Sequence, residues 1–186
     1  MSNDSPHAPH RPPHPLALEL IERLRGRPGA RVLEIGAGSG RNTRALAAAG
    51  LAVQTLPATD CAGAISTHAL LHGTRESLAA QLAQIARSLE RDAPLYATFG
   101  SVRDARYGKG RALEPHVFAP LDGDEIGVPH AYFDEARLRA LLAPYFTIES
   151  IYEAAVDEIA GSWAHPAAPL RNAVHWFVIA SARSDQ

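Results

Sequence analysis

The sequence predicts an α/β sandwich around a mostly parallel sheet, and three observations carry that expectation. Short apolar stretches alternate with helical stripes along the chain. A glycine-rich turn joins one predicted strand directly to a predicted helix. With 186 residues, 46% hydrophobic and 20% charged, the chain is long enough for one packed domain and too apolar to be wholly disordered.

The elements follow in order. Residues 1–15 carry five prolines and the histidines His7, His10 and His14. Proline at that density blocks helix and ladder hydrogen bonds, so a disordered tail is expected before a domain spanning 16–186. Leu16, Leu18, Leu20, Ile21 and Leu24 form a helical stripe that stops near Gly26 and Pro28. Residues 31–35 (RVLEI) read as a buried parallel strand. A helix over 43–49 ends at Gly50. Strands are expected over 51–56 and 62–67, then a helix over 75–91 with Leu78, Leu82, Ile85 and Leu89 on one face. A strand over 95–99 precedes an irregular stretch, 101–132. A helix capped by Asp134 runs to Leu142, and 146–152 and 173–180 read as two last strands. That makes six strands.

Composition excludes several classes. A net charge of −2 argues against a nucleic-acid surface. The single cysteine, Cys61, allows no internal disulfide and no cysteine-based zinc cluster. No apolar run reaches membrane-spanning length, and the first fifteen residues lack a signal-peptide layout. A cytoplasmic protein is expected. No two histidines share metal-ligand spacing on one element, so no metal is expected.

The informative stretch is Glu34-Ile-Gly-Ala-Gly-Ser-Gly-Arg-Asn-Thr43. Gly36, Gly38 and Gly40 permit positive backbone torsions and close approach of a ligand to the main chain. The following helix offers free N–H groups and the positive end of its dipole. The dinucleotide fingerprint does not fit, because Arg41 stands where its third glycine belongs. No Gly-Lys-Ser/Thr phosphate loop is present. The segment RVLEIGAGSGRNT resembles the first motif of the class I S-adenosylmethionine-dependent methyltransferases. That resemblance implies a three-layer Rossmann-like methyltransferase sandwich with a closing antiparallel hairpin. It also implies S-adenosylmethionine as cofactor, lying over Gly36, Ala37, Gly38 and Gly40, with Glu34 at its amino end and Asn42 and Thr43 beside it.

The family has seven strands, and here six are expected, about one strand–helix unit short between Gly50 and Cys61. The family's second strand ends in a carboxylate that binds the ribose. If 51–56 is that strand, Pro57 stands at the place and Asp60 is the nearest carboxylate. If 51–56 is instead the third strand, the carboxylate is missing. The five residues 57–61 barely return the chain, so 51–56 is expected to be very short or not parallel to its neighbours.

Methyl transfer needs alignment and sometimes a base. His68, after the fourth-strand-like segment, and His130 and Tyr132, before the last helix, are the candidate catalytic residues. His72 reads as a helix-start residue, and Arg103 and Arg106 as solvated or facing an anionic substrate. The connection 153–172, with Trp163, His165, Pro166 and Arg171, reads as a lid, and His175 as a satisfied strand histidine. The expected activity is methyl transfer from S-adenosylmethionine to a small-molecule acceptor. The alternative is a degenerate, non-catalytic methyltransferase-fold binding protein, with homodimerisation through an exposed sheet edge.

Overall fold

The computed structural model describes residues 11–163 and 171–183. Helix α1 (Pro15–Arg23) leads into β1 (Arg31–Ile35), α2 (Arg41–Ala48), β2 (Ala52–Gln54), β3 (Gly63–Ser66) and α3 (Arg75–Ser88). Strand β4 (Pro94–Ser101) follows, then β5 (Arg111–Glu114), β6 (Val117–Ala119) and β7 (His130–Phe133). Helix α4 (Glu135–Leu142) and strands β8 (Phe146–Ala155) and β9 (Val174–Ala182) complete the described chain. The main sheet runs β2-β1-β3-β4-β9-β8, parallel up to β4 and antiparallel across β9 and β8.

Alternation along the strands splits the core into two layers. Leu33, Ala64, Leu95, Ala97 and Phe99 meet Leu78, Leu82 and Ile85 of α3 and Leu138 and Leu142 of α4. On the opposite face, Val32, Ile65, Tyr96 and Phe177 meet Leu16, Leu20 and Leu24 of the α1 region and Leu46 of α2. The result is the expected three-layer arrangement. Strand β4 is buried at all eight residues, as befits a central strand covered on both faces.

All six expected strands are present. The 51–56 strand is very short, three residues long, and parallel to β1. No helix intervenes in the 55–62 return, and Leu56 and Ala58 pack against the core on the way. Strand β1 has β2 on one side and β3 on the other, so it is not an exposed edge. The edge is β2, whose three residues offer little ladder to a second chain.

Two expectations are corrected. Residues 101–132 are not wholly irregular: β5, β6 and β7 form an antiparallel ladder that joins the last two residues of β4 through Gly100↔Tyr132 and Ser101↔Phe133. Their strand signal is weak because each runs only three or four residues. The tail does not extend to residue 15. His14 is fully buried and caps α1, its Nδ1 accepting from Leu16 N at 3.1 Å, and Pro15 begins the helix. Proline suits the first helical position because it has no N–H to leave unpaired. His7 and His10 lie outside the described residues.

Candidate functional site

The C-terminal ends of β1, β3 and β4 and the start of antiparallel β9 converge where open α/β sheets bind ligands. Gly36, Gly38 and Gly40 all take positive φ, at 72°, 51° and 71°. They serve different ends. A Cβ at Gly36 would lie 2.4 Å from Ala69 Cβ, so this glycine admits the β3–α3 loop. Among the described residues, a Cβ at Gly38 would meet only its own loop, 4.0 Å away, so this backbone is left open by them. Gly40 is the N-cap of α2 and provides no side-chain cap, leaving the helix's first N–H groups to other partners.

Glu34 is buried at the end of β1. Its Oε2 accepts from the Thr43 hydroxyl, and its Oε1 is buried with no partner among the described residues. Asn42 is spent on the protein itself: Oδ1 accepts from His14 N at 2.9 Å and Nδ2 donates to Thr67 Oγ1 at 3.1 Å. Arg41, absent from the sequence candidates, is a buried clamp. Its guanidinium donates to the carbonyls of Gly161, Ser162 and Trp163 and contacts that of Pro12. It thereby ties the segments 11–14 and 161–163 over the start of α2. His165 and Pro166 lie outside the described residues.

Beneath that clamp sits a histidine cluster. His68 takes φ 61° just after β3, and its Nε2 donates to Ser162 O at 2.6 Å. Its ring lies 4.8 Å from that of His175 and 5.9 Å from that of His14. His175 Nε2 accepts from Arg106 Nη2 at 3.1 Å, which puts its proton on Nδ1, a buried atom without a partner among the described residues. His14 Nδ1 is occupied by Leu16 N, so the proton sits on Nε2, also buried without a partner among the described residues. Burial, reinforced by the neighbouring His68 and Arg41, lowers the His14 pKa to about 3. Burial, with His68 and Arg106 nearby, holds His175 well below the ordinary histidine range. Both are therefore neutral N–H donors at pH 7.

Arg106 is not a surface arginine. It pairs with buried Asp104 at 2.9 Å, and Asp104 also accepts from Val174 N. Arg103 is exposed and pairs with Glu153. Tyr132 is buried against Tyr107 and Phe118, and burial pushes its phenol up to about 12, which removes it as a base near neutrality. His130 is buried and bonded to Val128 O and Glu125, beside His72. His72 is thus a partner of His130 and not merely a helix-start residue.

Asp60 is corrected outright. It sits before β3 and pairs with Arg31, the first residue of β1, at 3.1 Å, with its side chain 72% exposed. The glycine turn follows the last residue of β1, about 13 Å away along the strand. Asp60 therefore lies at the wrong end of the sheet to touch a ligand on the turn. The end of β2 carries Thr55, Leu56 and Pro57, none of them acidic.

Solved structures share this architecture. A SAM-dependent methyltransferase from Methanosarcina mazei superposes with a TM-score of 0.66 at 16% identity, covering 88% of this chain and 97% of that one. The 1,6-didemethyltoxoflavin-N1-methyltransferase of Burkholderia thailandensis, bound to 1,6-didemethyltoxoflavin and S-adenosylhomocysteine, gives 0.61 at 19% identity over 91% and 77%. Magnesium protoporphyrin IX methyltransferase from Synechocystis, with bound SAM, gives 0.58 at 16% over 91% and 76%. No family model and no curated protein matches the sequence. The fold is that of the SAM-dependent methyltransferases.

Proposed function

We propose that the protein transfers a methyl group from S-adenosylmethionine to a small-molecule acceptor. One observation carries the reading: the glycine turn ends on an open backbone at Gly38 beside a buried, half-satisfied carboxylate at Glu34. A buried polar atom without a partner costs on the order of 1–3 kcal/mol, so such atoms are kept where a ligand completes them. The orphans here are complementary. Glu34 Oε1 is an acceptor, while His14 Nε2 and His175 Nδ1 are donors. An α-amino acid group, with its ammonium and carboxylate, satisfies both kinds, and the methionine end of the cofactor is such a group.

When bound, the cofactor supplies an electrophilic methyl on a sulfonium centre. The chain's own part is alignment and proton handling. Gly38 and the α2 N-terminus hold the methionine end, with Glu34 on its ammonium. Arg41 ties the segments 11–14 and 161–163 over the start of α2. His68 stands just after β3 at this end of the sheet, with its Nε2 donating to Ser162 O. It is the proposed proton acceptor. Two of the similar structures are named for small-molecule acceptors, which supports a small molecule here.

A second reading, a binding protein of the same fold that does not catalyse, is favoured by the non-acidic end of β2. Calorimetric titration with S-adenosylmethionine and S-adenosylhomocysteine tests both readings. Saturable heat for either ligand is expected. No heat at millimolar ligand overturns the cofactor assignment. Binding without methyl transfer to any of a panel of small hydroxylated, amino and thiol acceptors supports the second reading.

A further inference from the structure

We infer that His72, Glu125 and His130 form a binding site for one divalent first-row transition-metal ion. The three lie on separate pieces of chain: the β3–α3 loop, the β6–β7 loop and the first residue of β7. Their ligating atoms lie within 4.8 Å of one another. Glu125 stands between the two rings, with Oε1 3.1 Å from His72 Nε2 and Oε2 3.0 Å from His130 Nε2. Around a tetrahedral ion at about 2.1 Å from each donor, donors sit roughly 3.4 Å apart, so two of the three spacings are already near the coordinated value.

The hydrogen-bond pattern itself asks for a positive centre. His130 Nδ1 donates to Val128 O at 2.8 Å, which leaves the lone pair of the neutral ring on Nε2. That lone pair faces a carboxylate oxygen, which is also an acceptor. A proton or a cation must lie between them. A backbone carbonyl on the far ring nitrogen is the arrangement that orients a metal-ligating histidine.

The backbone preorganises the site. His72 and His130 are partners in an antiparallel bridge, with Gly73 N donating to Pro129 O and Ala131 N to Leu71 O, both at 2.8 Å. Glu125 is held by a folded loop in which Gly127 N donates to Pro120 O and Val128 N to Glu125 O. The His130 side chain is 2% exposed, whereas Glu125 and His72 are 27% and 34% exposed, so one ligand anchors and two border an entry path. Two imidazoles and one carboxylate select zinc, iron, cobalt or nickel over magnesium, and leave positions open for water or a substrate oxygen. The site stands independently of the methyl-transfer reading.

The test is titration of the full-length protein, stripped with chelator, with Zn²⁺, Co²⁺ and Mg²⁺. Calorimetry and the Co²⁺ visible spectrum are the readouts. One Zn²⁺ or Co²⁺ per chain is expected, with no saturable Mg²⁺ binding. His130→Ala and Glu125→Gln should each weaken Zn²⁺ by at least about tenfold. A His7→Ala/His10→Ala double variant should bind as the parent does. Thermal melts guard against misfolding: metal-free Glu125→Gln should melt close to the parent, and Zn²⁺ should raise the melting temperature of the parent more than that of Glu125→Gln. Absence of saturable binding, binding unchanged in His130→Ala, or binding abolished in the His7/His10 variant would each overturn the site. The first outcome would leave a protonated histidine–carboxylate latch in its place. A failed cofactor titration would not alter the metal stoichiometry.

Discussion

The glycine turn and the His72–Glu125–His130 corner lie on the same side of the sheet, yet they treat polar groups in opposite ways. Around the turn, Glu34 Oε1, His14 Nε2 and His175 Nδ1 are buried without partners among the described residues. In the corner, both oxygens of Glu125 and both ring nitrogens of His130 are engaged. The two are within electrostatic reach of each other, since His72 acts on His175 and Glu125 on Arg106 and Tyr132. The difference teaches what each was built to hold. Mixed donors and acceptors left open suit a zwitterionic organic group, whereas converging lone pairs suit a cation.

Acidification tests the turn side most severely. The His14 pKa falls from 6.5 to about 3 on folding. The unfolded chain therefore binds more protons between those values, and stability present above pH 6.5 is lost as pH falls toward 3. The loss is on the order of 5 kcal/mol at about 1.4 kcal/mol per unit. His14→Asn, which keeps a capping acceptor but does not titrate, should flatten the acid limb of urea midpoints measured from pH 7 to 4. An unchanged limb would show that His14 is not buried as described.

Gly36→Ala should cost about 2–4 kcal/mol, from the positive φ and from the overlap with Ala69. A melting temperature equal to the parent's would refute the close packing of the β3–α3 loop on the turn.

Glu34→Ala sharpens the contrast by separating ligand binding from folding. It should weaken S-adenosylmethionine by at least about tenfold, about 1.4 kcal/mol. Retained affinity would remove the carboxylate from the pocket. Asp60→Asn is the smallest effect. An exposed pair with Arg31 is worth about 0–1 kcal/mol, and cofactor affinity should not change. A large loss of affinity would mean that the ribose end reaches across the sheet.

The turn was legible because its chemistry is contiguous. A strand, three glycines and a helix start within thirteen residues, each dictated by local torsions and local hydrogen bonds. The six main strands were legible for the same reason, since burial writes apolar runs into them. Arg41 was not legible. A solvated arginine and one clamping the carbonyls of Gly161, Ser162 and Trp163 look the same in sequence, about 120 residues from the partners. Nor was Asp60 at the far end of β1, because proximity in sequence to a strand does not say which end of the sheet the residue occupies.

Residue types and local spacing were enough to indicate the α/β class and the strand–turn–helix at residues 31–48, and they narrowed β2 to a very short strand or one not parallel to its neighbours. Those features rest on backbone torsions and hydrophobic period, which act over a few residues. Tertiary structure alone decided that His14 is buried beside His68 and Phe177, that Tyr132 is withdrawn into an aromatic cluster, and that His72, Glu125 and His130 meet. The last two outcomes depend on the short β5–β7 ladder and on the bridge between His72 and His130. Such long-range pairing is set by the packing of the whole sheet and leaves no period in the sequence to read.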